Sequence, residues 1–477
     1  MANAVADQQR IFLEQIKEGQ KTLFGKDHHL QDIKTYSEYT TAIPVRDYEG
    51  IRRYIDQIKE GKESILWKGK PIYFAKTSGT TSGVKYIPIT KDSIDNHIDT
   101  AKYALLNYMA ESGKPDFADG KMIFLSGSPT LERVGGIPTG RLSGIVNHYV
   151  PGYLKGNQLP SFETNCIEDW ETKLKKIVEE TINKDMTLIS GIPPWMQMYF
   201  DWLSEAGGGK KIKELFPNLQ VLVHGGVNFE PYRAKLMESL GKTIDTIETF
   251  PASEGFFAFQ DSQEEEGLLL NTNSGIFFEF IPVSEIFNEQ PRRLQLADVK
   301  LGENYALIVN SNAGLWAYNI GDTVKFVSLD PYRIVVTGRI KHFISAFGEH
   351  VIAEEVEYAM RQAATRFNAH VTEFTVAPMI NTTDGSLPYH EWLISFEKEP
   401  DNPEAFNALL DQAMREKNVY YDDLIRGGIL QPLRVTRLQP RAFIEYMKSI
   451  GKLGGQNKVP RLSNNRELAE GLEAYRI

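Results

Sequence analysis

Between Thr187 and Ile247 the chain alternates short apolar runs with stretches of helical spacing. Thr187-Leu188-Ile189 precedes a helical run that starts near Pro193. Val221-Leu222-Val223 precedes His224-Gly225-Gly226 and a second helical run near Pro231, and Thr243 to Ile247 closes the set. Prolines suit the first turn of a helix, where the missing N–H has no intrahelical partner to lose. Strands that alternate with helices argue a largely parallel sheet with helices packed on it. Such sheets place ligands beyond the carboxyl ends of their strands.

The flanks differ in character. Apolar residues at helical spacing run from Gln8 to Phe24 and from Tyr48 to Ile58, and Ile72–Ala75 and Met122–Leu125 are short apolar runs. From about Gly267 to Val336 β-rich runs follow one another: Gly275–Ile281, Tyr305–Val309, Thr323–Val327 and Arg333–Thr337. They predict an antiparallel sheet or barrel-like layer attached to the α/β part. After Gly338-Arg339 an α+β unit is expected, with helices at Ile352–Phe367 and Pro403–Met414 and strands at Glu373–Ala377 and Glu391–Phe396. Gly451–Gly455 reads as a loop. A chain of 477 residues exceeds the size at which one core keeps growing. The expected division is a large domain, 1–338, of mixed sheets with a β-rich subdomain, and a small mobile lid, 339–477, hinged near 339–341.

Composition excludes several partners. The 53 basic and 63 acidic residues leave a net charge of −10, which disfavours a nucleic acid held on a broad basic surface. The single cysteine, Cys166, rules out an intramolecular disulfide and fits a reducing compartment. Met1 to Gln15 lacks a signal-type apolar core, and no stretch approaches the roughly 20 apolar residues of a membrane span. A cytoplasmic protein with no membrane partner is expected.

Four motifs carry the chemistry. Thr77-Ser78-Gly79-Thr80-Thr81-Ser82-Gly83-Val84-Lys85 offers hydroxyl donors, glycines that turn successive N–H groups toward one point, and a terminal cation. Either a polar hairpin turn or a phosphate cradle has this composition; the lysine and the extended run Tyr86-Ile87-Pro88-Ile89 point to the cradle. It is not a P-loop, because Gly83 is not followed by Lys and then Ser or Thr. Thr249-Phe250-Pro251-Ala252-Ser253-Glu254-Gly255 follows a predicted strand. Glu254 there is a solvated loop carboxylate or an oxygen ligand for Mg²⁺, and Phe250 is a ring for a base. Ala317-Tyr318-Asn319-Ile320-Gly321-Asp322 is a plain turn or places a carboxylate on a ribose. Gly338-Arg339-Ile340-Lys341 through Gly348-Glu349 is the fourth.

In order and spacing these motifs resemble the adenylate-forming superfamily of acyl-CoA synthetases, peptide-synthetase adenylation domains and luciferases. More narrowly, the chain resembles a bacterial member of the auxin-responsive Gretchen Hagen three family of acyl acid amido synthetases. Thr77–Lys85 is similar to the family's phosphate-binding motif, Phe250–Glu254 to its aromatic-x-x-Ser-Glu motif, and Tyr318–Asp322 to its Tyr-Arg-x-Gly-Asp motif. Gly455-Gln456-Asn457-Lys458-Val459-Pro460-Arg461 is similar to the segment with the family's active-site lysine. Two departures stand out: Phe250 replaces the usual tyrosine, and Asn319 the usual arginine.

The resemblance implies the adenylate-forming fold with its small lid, ATP and Mg²⁺ as cofactors, and two half-reactions. A carboxylic acid attacks the α-phosphorus of ATP, and an amine, an amino acid as a rule, then takes the acyl group. It assigns Ser78, Gly79, Thr80, Thr81, Gly83 and Lys85 to phosphates and Glu254 to Mg²⁺. Phe250 faces the adenine, and Ser253 lies in the same nucleotide-binding motif; His224, before the nucleotide-binding Gly225-Gly226, borders the adenine by position, and Asp322 and Arg339 hold the ribose. Lys458 becomes the mobile catalytic cation. An acyl-CoA ligase sharing the first step and a nucleotide-binding relative without activity are the alternatives. The acyl pocket is less legible: Ser126–Ser128, Gly135–Ile137 and Pro194–Met196 are candidates, and Trp195 with Tyr199 and Met196 with Phe200, at helical spacing, read more readily as core.

Overall fold

The computed structural model describes residues 3–80, 83–150, 152–226, 229–286, 288–339, 343–344, 346–347, 349, 351–382, 385–450 and 459–477, at some positions by backbone alone. Helices at Ala4–Gly19, Leu23–Asp27, Tyr36–Ala42 and Tyr48–Lys59 open the chain. The periodic run from Gln8 to Phe24 is thus two helices: Thr22 Oγ1 accepts from Gly25 N at 2.9 Å and starts the second. Helix Tyr48–Lys59 buries Ile51, Tyr54, Ile55 and Ile58, and Asp47 caps it by accepting from Glu49 N and Gly50 N.

β1 (Tyr73–Thr80) and β2 (Gly83–Ile89) form an antiparallel hairpin. β3 (Lys121–Phe124) opens a second sheet, while β4 (Glu132–Val134) and β5 (Ile137–Gly140) return to the hairpin, giving the order β2-β1-β5-β4. β6 (Gln158–Leu159), β7 (Met186–Ser190), β8 (Val221–Gly225) and β9 (Asp245–Ala252) lie parallel with β3, as the alternation of strands and helices requires. The chain then runs antiparallel through β10 (Gly255–Phe259), β11 (Leu268–Leu270), β12 (Ile276–Pro282), β13 (Asn304–Ser311), β14 (Leu315–Leu329) and β15 (Tyr332–Arg339). Among the described residues these strands join the parallel ones edge to edge, in the order β12-β13-β14-β15-β11-β10-β9-β8-β7-β3-β6. The β-rich stretch therefore extends the α/β sheet, and β9 and β10 are the seam between its two halves.

The C-terminal unit has a short pair, β16 (Phe343–Ile344) and β17 (Val351–Ile352), and a sheet of β18 (His370–Met379), β19 (Tyr389–Lys398) and β20 (Arg434–Leu438). Many of its apolar residues, from Phe347 to Leu462, share one cluster with Ile123, Leu174, Met198 and Leu222 of the α/β half, while Leu393, Leu438 and Phe443 belong to a second, smaller one. The contact is close at Gly427, where a Cβ would lie 2.3 Å from Met198 Cε. Beside it the Arg141 guanidinium lies 5.0 Å from the centre of the Tyr420 ring. No helix among the described residues is long and apolar enough to cross a membrane.

Candidate active site

The nine-residue motif from Thr77 to Lys85 straddles the β1–β2 hairpin. Thr77 faces Lys85 and Thr80 faces Gly83, so Ser78 and Gly79 stand opposite Val84 alone. Two residues against one is a β-bulge, a feature common beside active sites because it bends the strand and re-aims its groups. Ser78, Gly79, Thr80 and Gly83 are described by backbone only, and Thr81 lies outside the described residues.

Gly225, the last residue of β8, pairs with Thr249 of β9. A Cβ on Gly225 would lie 2.3 Å from the Thr249 carbonyl oxygen, so glycine is what lets the strands approach there. Gly226 follows with φ +77°. His224 is buried, and its ring stacks on Phe229 with centroids 3.9 Å apart. Burial, with help from Arg233, holds its pKa down at about 3, so the imidazole is neutral; its Nδ1 has no hydrogen-bond partner among the described residues.

Ser253 and Glu254 form the two-residue turn between β9 and β10, where Ala252 faces Gly255. Asn96, on the helix Ile94–Ser112, grips the next residue in both directions: its Nδ2 donates to the Phe256 carbonyl at 3.1 Å and its Oδ1 accepts from Phe256 N at 2.7 Å. Phe250 is 8% exposed and meets Phe257 edge-on at 5.2 Å, so most of the ring belongs to the main core. Only a small part of it is open to a ligand.

Tyr318, on β14, is 1% exposed, and the Glu254 carboxylate is near enough for its charge to act on the phenol. Burial and then the charge of Glu254 push the phenol well above its ordinary pKa, so it stays a donor. Asn319 Oδ1 accepts from Gly321 N at 2.8 Å, and Gly321 has φ +91°. The asparagine that replaces the family's arginine thus holds the turn before Asp322. Asp322, 6% exposed, pairs in the ladder with Arg339 of β15, for which the backbone is described.

A segment that the sequence reading passed over ties these pieces together. Arg46 pairs in parallel with Tyr318: its N–H donates to the Ala317 carbonyl at 3.0 Å and its carbonyl accepts from Asn319 N at 2.8 Å. Two residues on, the Tyr48 hydroxyl accepts from Tyr86 N at 3.0 Å, next to Lys85. Residues 46–48 therefore brace the phosphate hairpin against the strand that carries Tyr318 and Asp322. Their only sequence signal is the N-cap pattern of Asp47.

Lys458 lies outside the described residues. The chain just after it is pinned beside β18, with the Pro460 carbonyl accepting from Thr375 Oγ1 at 2.7 Å and Val376 N donating to the Arg461 carbonyl at 2.9 Å. A cavity of about 710 Å³ in the C-terminal unit, lined by Asp411, Arg415, Asp422 and Arg426 among others, contains none of the candidate residues.

Comparison with known proteins places the chain in a family. Residues 1–154 match the GH3 family N-terminal domain, residues 269–339 its central domain and residues 354–467 its C-terminal domain. The chain belongs to the GH3 family. It is an enzyme, a ligase of the adenylate-forming class. An indole-3-acetic acid-amido synthetase of Arabidopsis thaliana, GH3.15, is 24% identical, covering 91% of this chain and 86% of its own. A jasmonoyl-L-amino acid synthetase of Nicotiana attenuata, JAR4, is 24% identical over 60% of each chain. Among solved structures, GH3.15 acyl acid amido synthetase superposes with a TM-score of 0.61 at 18% identity, covering 100% of this chain and 94% of its own. A 2-hydroxyisobutyryl-CoA ligase gives 0.60 at 12% identity, covering 98% and 92%. The chain shares the adenylate-forming fold of these two structures.

Proposed function

We propose that this protein is an ATP-dependent acyl acid amido synthetase of the cytoplasm. It activates a small carboxylic acid as its acyl adenylate and passes the acyl group to an amine, an amino acid by the names of its relatives. The observation that carries this reading is the brace at residues 46–48, which joins the phosphate hairpin, through Tyr86, to the strand of Tyr318 and Asp322.

In the first half-reaction a substrate carboxylate oxygen bonds to the α-phosphorus and pyrophosphate leaves. Charge accumulates on phosphate oxygens, and fixed donors aimed there lower the barrier by about 3 kcal/mol for a single well-placed group. Ser78, Gly79, Thr80, Thr81, Gly83 and Lys85 serve this role, with Lys458 reaching the α-phosphate and the carboxylate. Gly225, Gly226 and the open edge of Phe250 border the adenine, Ser253 lies in the turn with Glu254, and Asp322 with Arg339 takes the ribose. Glu254 suits Mg²⁺ by chemistry, being a hard oxygen donor for a cation that binds through one or two carboxylates plus substrate phosphates. Bound there, the cation would neutralise the phosphates. In the second half-reaction the amine bonds to the acyl carbon and AMP leaves. The C-terminal unit, residues 339–477, is the lid that excludes water from the hydrolysable adenylate.

The test is ATP–pyrophosphate exchange across a panel of carboxylic acids. Exchange that depends on the acid supports the reading. Its absence with every acid would leave only a nucleotide-binding protein.

A further inference from the structure

The loops that leave β3, β7 and β8 lie side by side at one edge of the sheet. Leu125 N donates to the Ser190 carbonyl at 2.8 Å, Gly191 N donates to the Val223 carbonyl at 3.0 Å, and Gly225 ends the next strand. Ligands of such sheets bind beyond these carboxyl ends. The loop after β3, Ser126–Ser128, is held from two sides. Lys173, 2% exposed on the helix Trp170–Thr181, donates from Nζ to the Ser126 and Asn165 carbonyls, each at 2.8 Å. Gly127 N donates to Ser143 Oγ at 3.1 Å. A Cβ on Gly127 would lie 2.9 Å from Arg141 Cδ, and one on Gly144 would lie 2.2 Å from the Ser128 carbonyl oxygen. Two glycines thus let the loop close on residues 141–144.

Arg141 sits where three parts of the molecule meet. Its chain neighbour Gly140 pairs with Ala75, three residues before Ser78 of the phosphate hairpin. Its stem lies against Gly127, and its guanidinium lies 5.0 Å from the centre of the Tyr420 ring, on the helix Val419–Arg426 of the C-terminal unit. Arg141 is half-buried, and among the described residues its guanidinium makes no hydrogen bond and no ion pair. Asp423, on the same helix as Tyr420, feels its charge without standing within ion-pair distance. Stacking on Tyr420 leaves the N–H edge of the guanidinium, a planar fork that matches a carboxylate bidentately. A charge drawn part-way out of water with its donors unanswered calls for an anion from outside the chain.

The substrates offer three. The phosphates have the hairpin and Lys85. The acid to be activated gives up its charge when its oxygen bonds to phosphorus, so it cannot answer a guanidinium through the second half-reaction. The carboxylate of an amino acid acceptor keeps its charge throughout. β3 also stands two places from β8 in the sheet, about 10 Å along its edge at the usual strand spacing. That puts Arg141 beside the nucleotide strands and under the C-terminal unit. We infer that Arg141 binds the carboxylate of the amine acceptor, and so selects an amino acid over a plain amine. The inference rests on the reading that the acyl group goes to an amine.

The test uses an acid that supports pyrophosphate exchange and the amino acid that the wild type couples best, set against the primary amide of that amino acid. Amide formation is followed in the wild type, Arg141→Gln and Arg141→Lys; pyrophosphate exchange, which involves no acceptor, is followed beside it. The wild type should prefer the free amino acid. In Arg141→Gln the KM for the amino acid is expected to rise at least about tenfold, as loss of hydrogen bonds to a charged group implies. The KM for its primary amide should not move, and those for ATP and the acid in the exchange should keep their wild-type values. Equal use of amino acid and primary amide by the wild type overturns this inference and leaves the amido synthetase standing. So does an unchanged preference in Arg141→Gln. A raised KM for ATP or the acid, with the amino acid unaffected, assigns the guanidinium to the first half-reaction and contradicts the inference. No amide from any amine, with thioester formed instead, overturns the underlying reading. If Arg141→Gln does not fold, Arg141→Lys decides: loss of the fork should raise the KM of the amino acid alone, and no change, or an equal change for the primary amide, contradicts the role.

Discussion

Asp322 and Arg339 face each other as direct partners across the β14–β15 ladder, so an acid from one motif and a base from another share one rung. Asp322 is nearly covered, at 6% exposure, and Gly321 before it adopts φ +91° under the hold of Asn319. A carboxylate in this position can accept both hydroxyls of a ribose. Asp322→Asn is expected to raise KM for ATP by about tenfold or more, the worth of a charge-assisted hydrogen bond. The wild type should prefer ATP over 2′-deoxyATP and the variant should not. Equal preference in the two proteins would move the ribose elsewhere.

Gly225 and Gly226 should fail differently. At Gly225 an added methyl meets the Thr249 carbonyl at 2.3 Å, backbone against backbone, and nothing flexible can give way. Gly225→Ala is expected to cost about 1–3 kcal/mol in urea unfolding, as overpacking does. At Gly226 the nearest atom is Ile192 Cγ2 at 3.4 Å, and only the positive φ is penalised. Gly226→Ala should cost about 1–2 kcal/mol, within the range for a left-handed residue with a Cβ. The reverse order would show that the strand approach is not tight.

The contact between the C-terminal unit and the α/β half should depend on pH. Asp423, on the helix Val419–Arg426, has its pKa raised to about 6, chiefly by burial; Arg141 and Arg426 oppose the rise while Asp422 and Asp169 add to it. The folded protein therefore holds this proton when the unfolded chain has lost it. Stability from this group is full below the ordinary aspartate value of 3.8 and falls as pH rises through about 6. Asp423→Asn should raise the melting temperature more at pH 7.5 than at pH 4, each about the stated value. A gain equal at both pH values contradicts the assignment.

Lys458→Ala should abolish acid-dependent pyrophosphate exchange while ATP still raises the melting temperature. The neighbouring chain is fixed by Thr375 and Val376, so loss of this side chain should leave the fold intact. Normal exchange would place the cation elsewhere.

Much of this was legible in the sequence, and unevenly. The parallel strands at Met186–Ser190 and Val221–Gly225 announce themselves because both faces are covered, which demands an unbroken apolar run. Pro193 marks its helix start to the residue. What sequence could not convey was adjacency. Nothing local in Arg46-Asp47-Tyr48 says that it bridges Tyr86 and Tyr318, because ladder partners far apart in the chain leave no periodic trace. The β-rich stretch reads as antiparallel, yet its continuity with the parallel strands depends on the short β9–β10 turn at Ser253-Glu254. Phe250 shows the other limit: an aromatic in a motif reads as a stacking face, whereas its burial against Phe257 is decided by strands that pack later in the chain.

The central claim is that the acyl group goes to an amine. Purified protein is given ATP, Mg²⁺ and an acid that supports pyrophosphate exchange, with a mixture of amino acids and coenzyme A offered together at equal concentration. Mass spectrometry of the products should find the acyl–amino acid amide with one AMP per amide. Accumulation of the thioester with no amide would contradict the account.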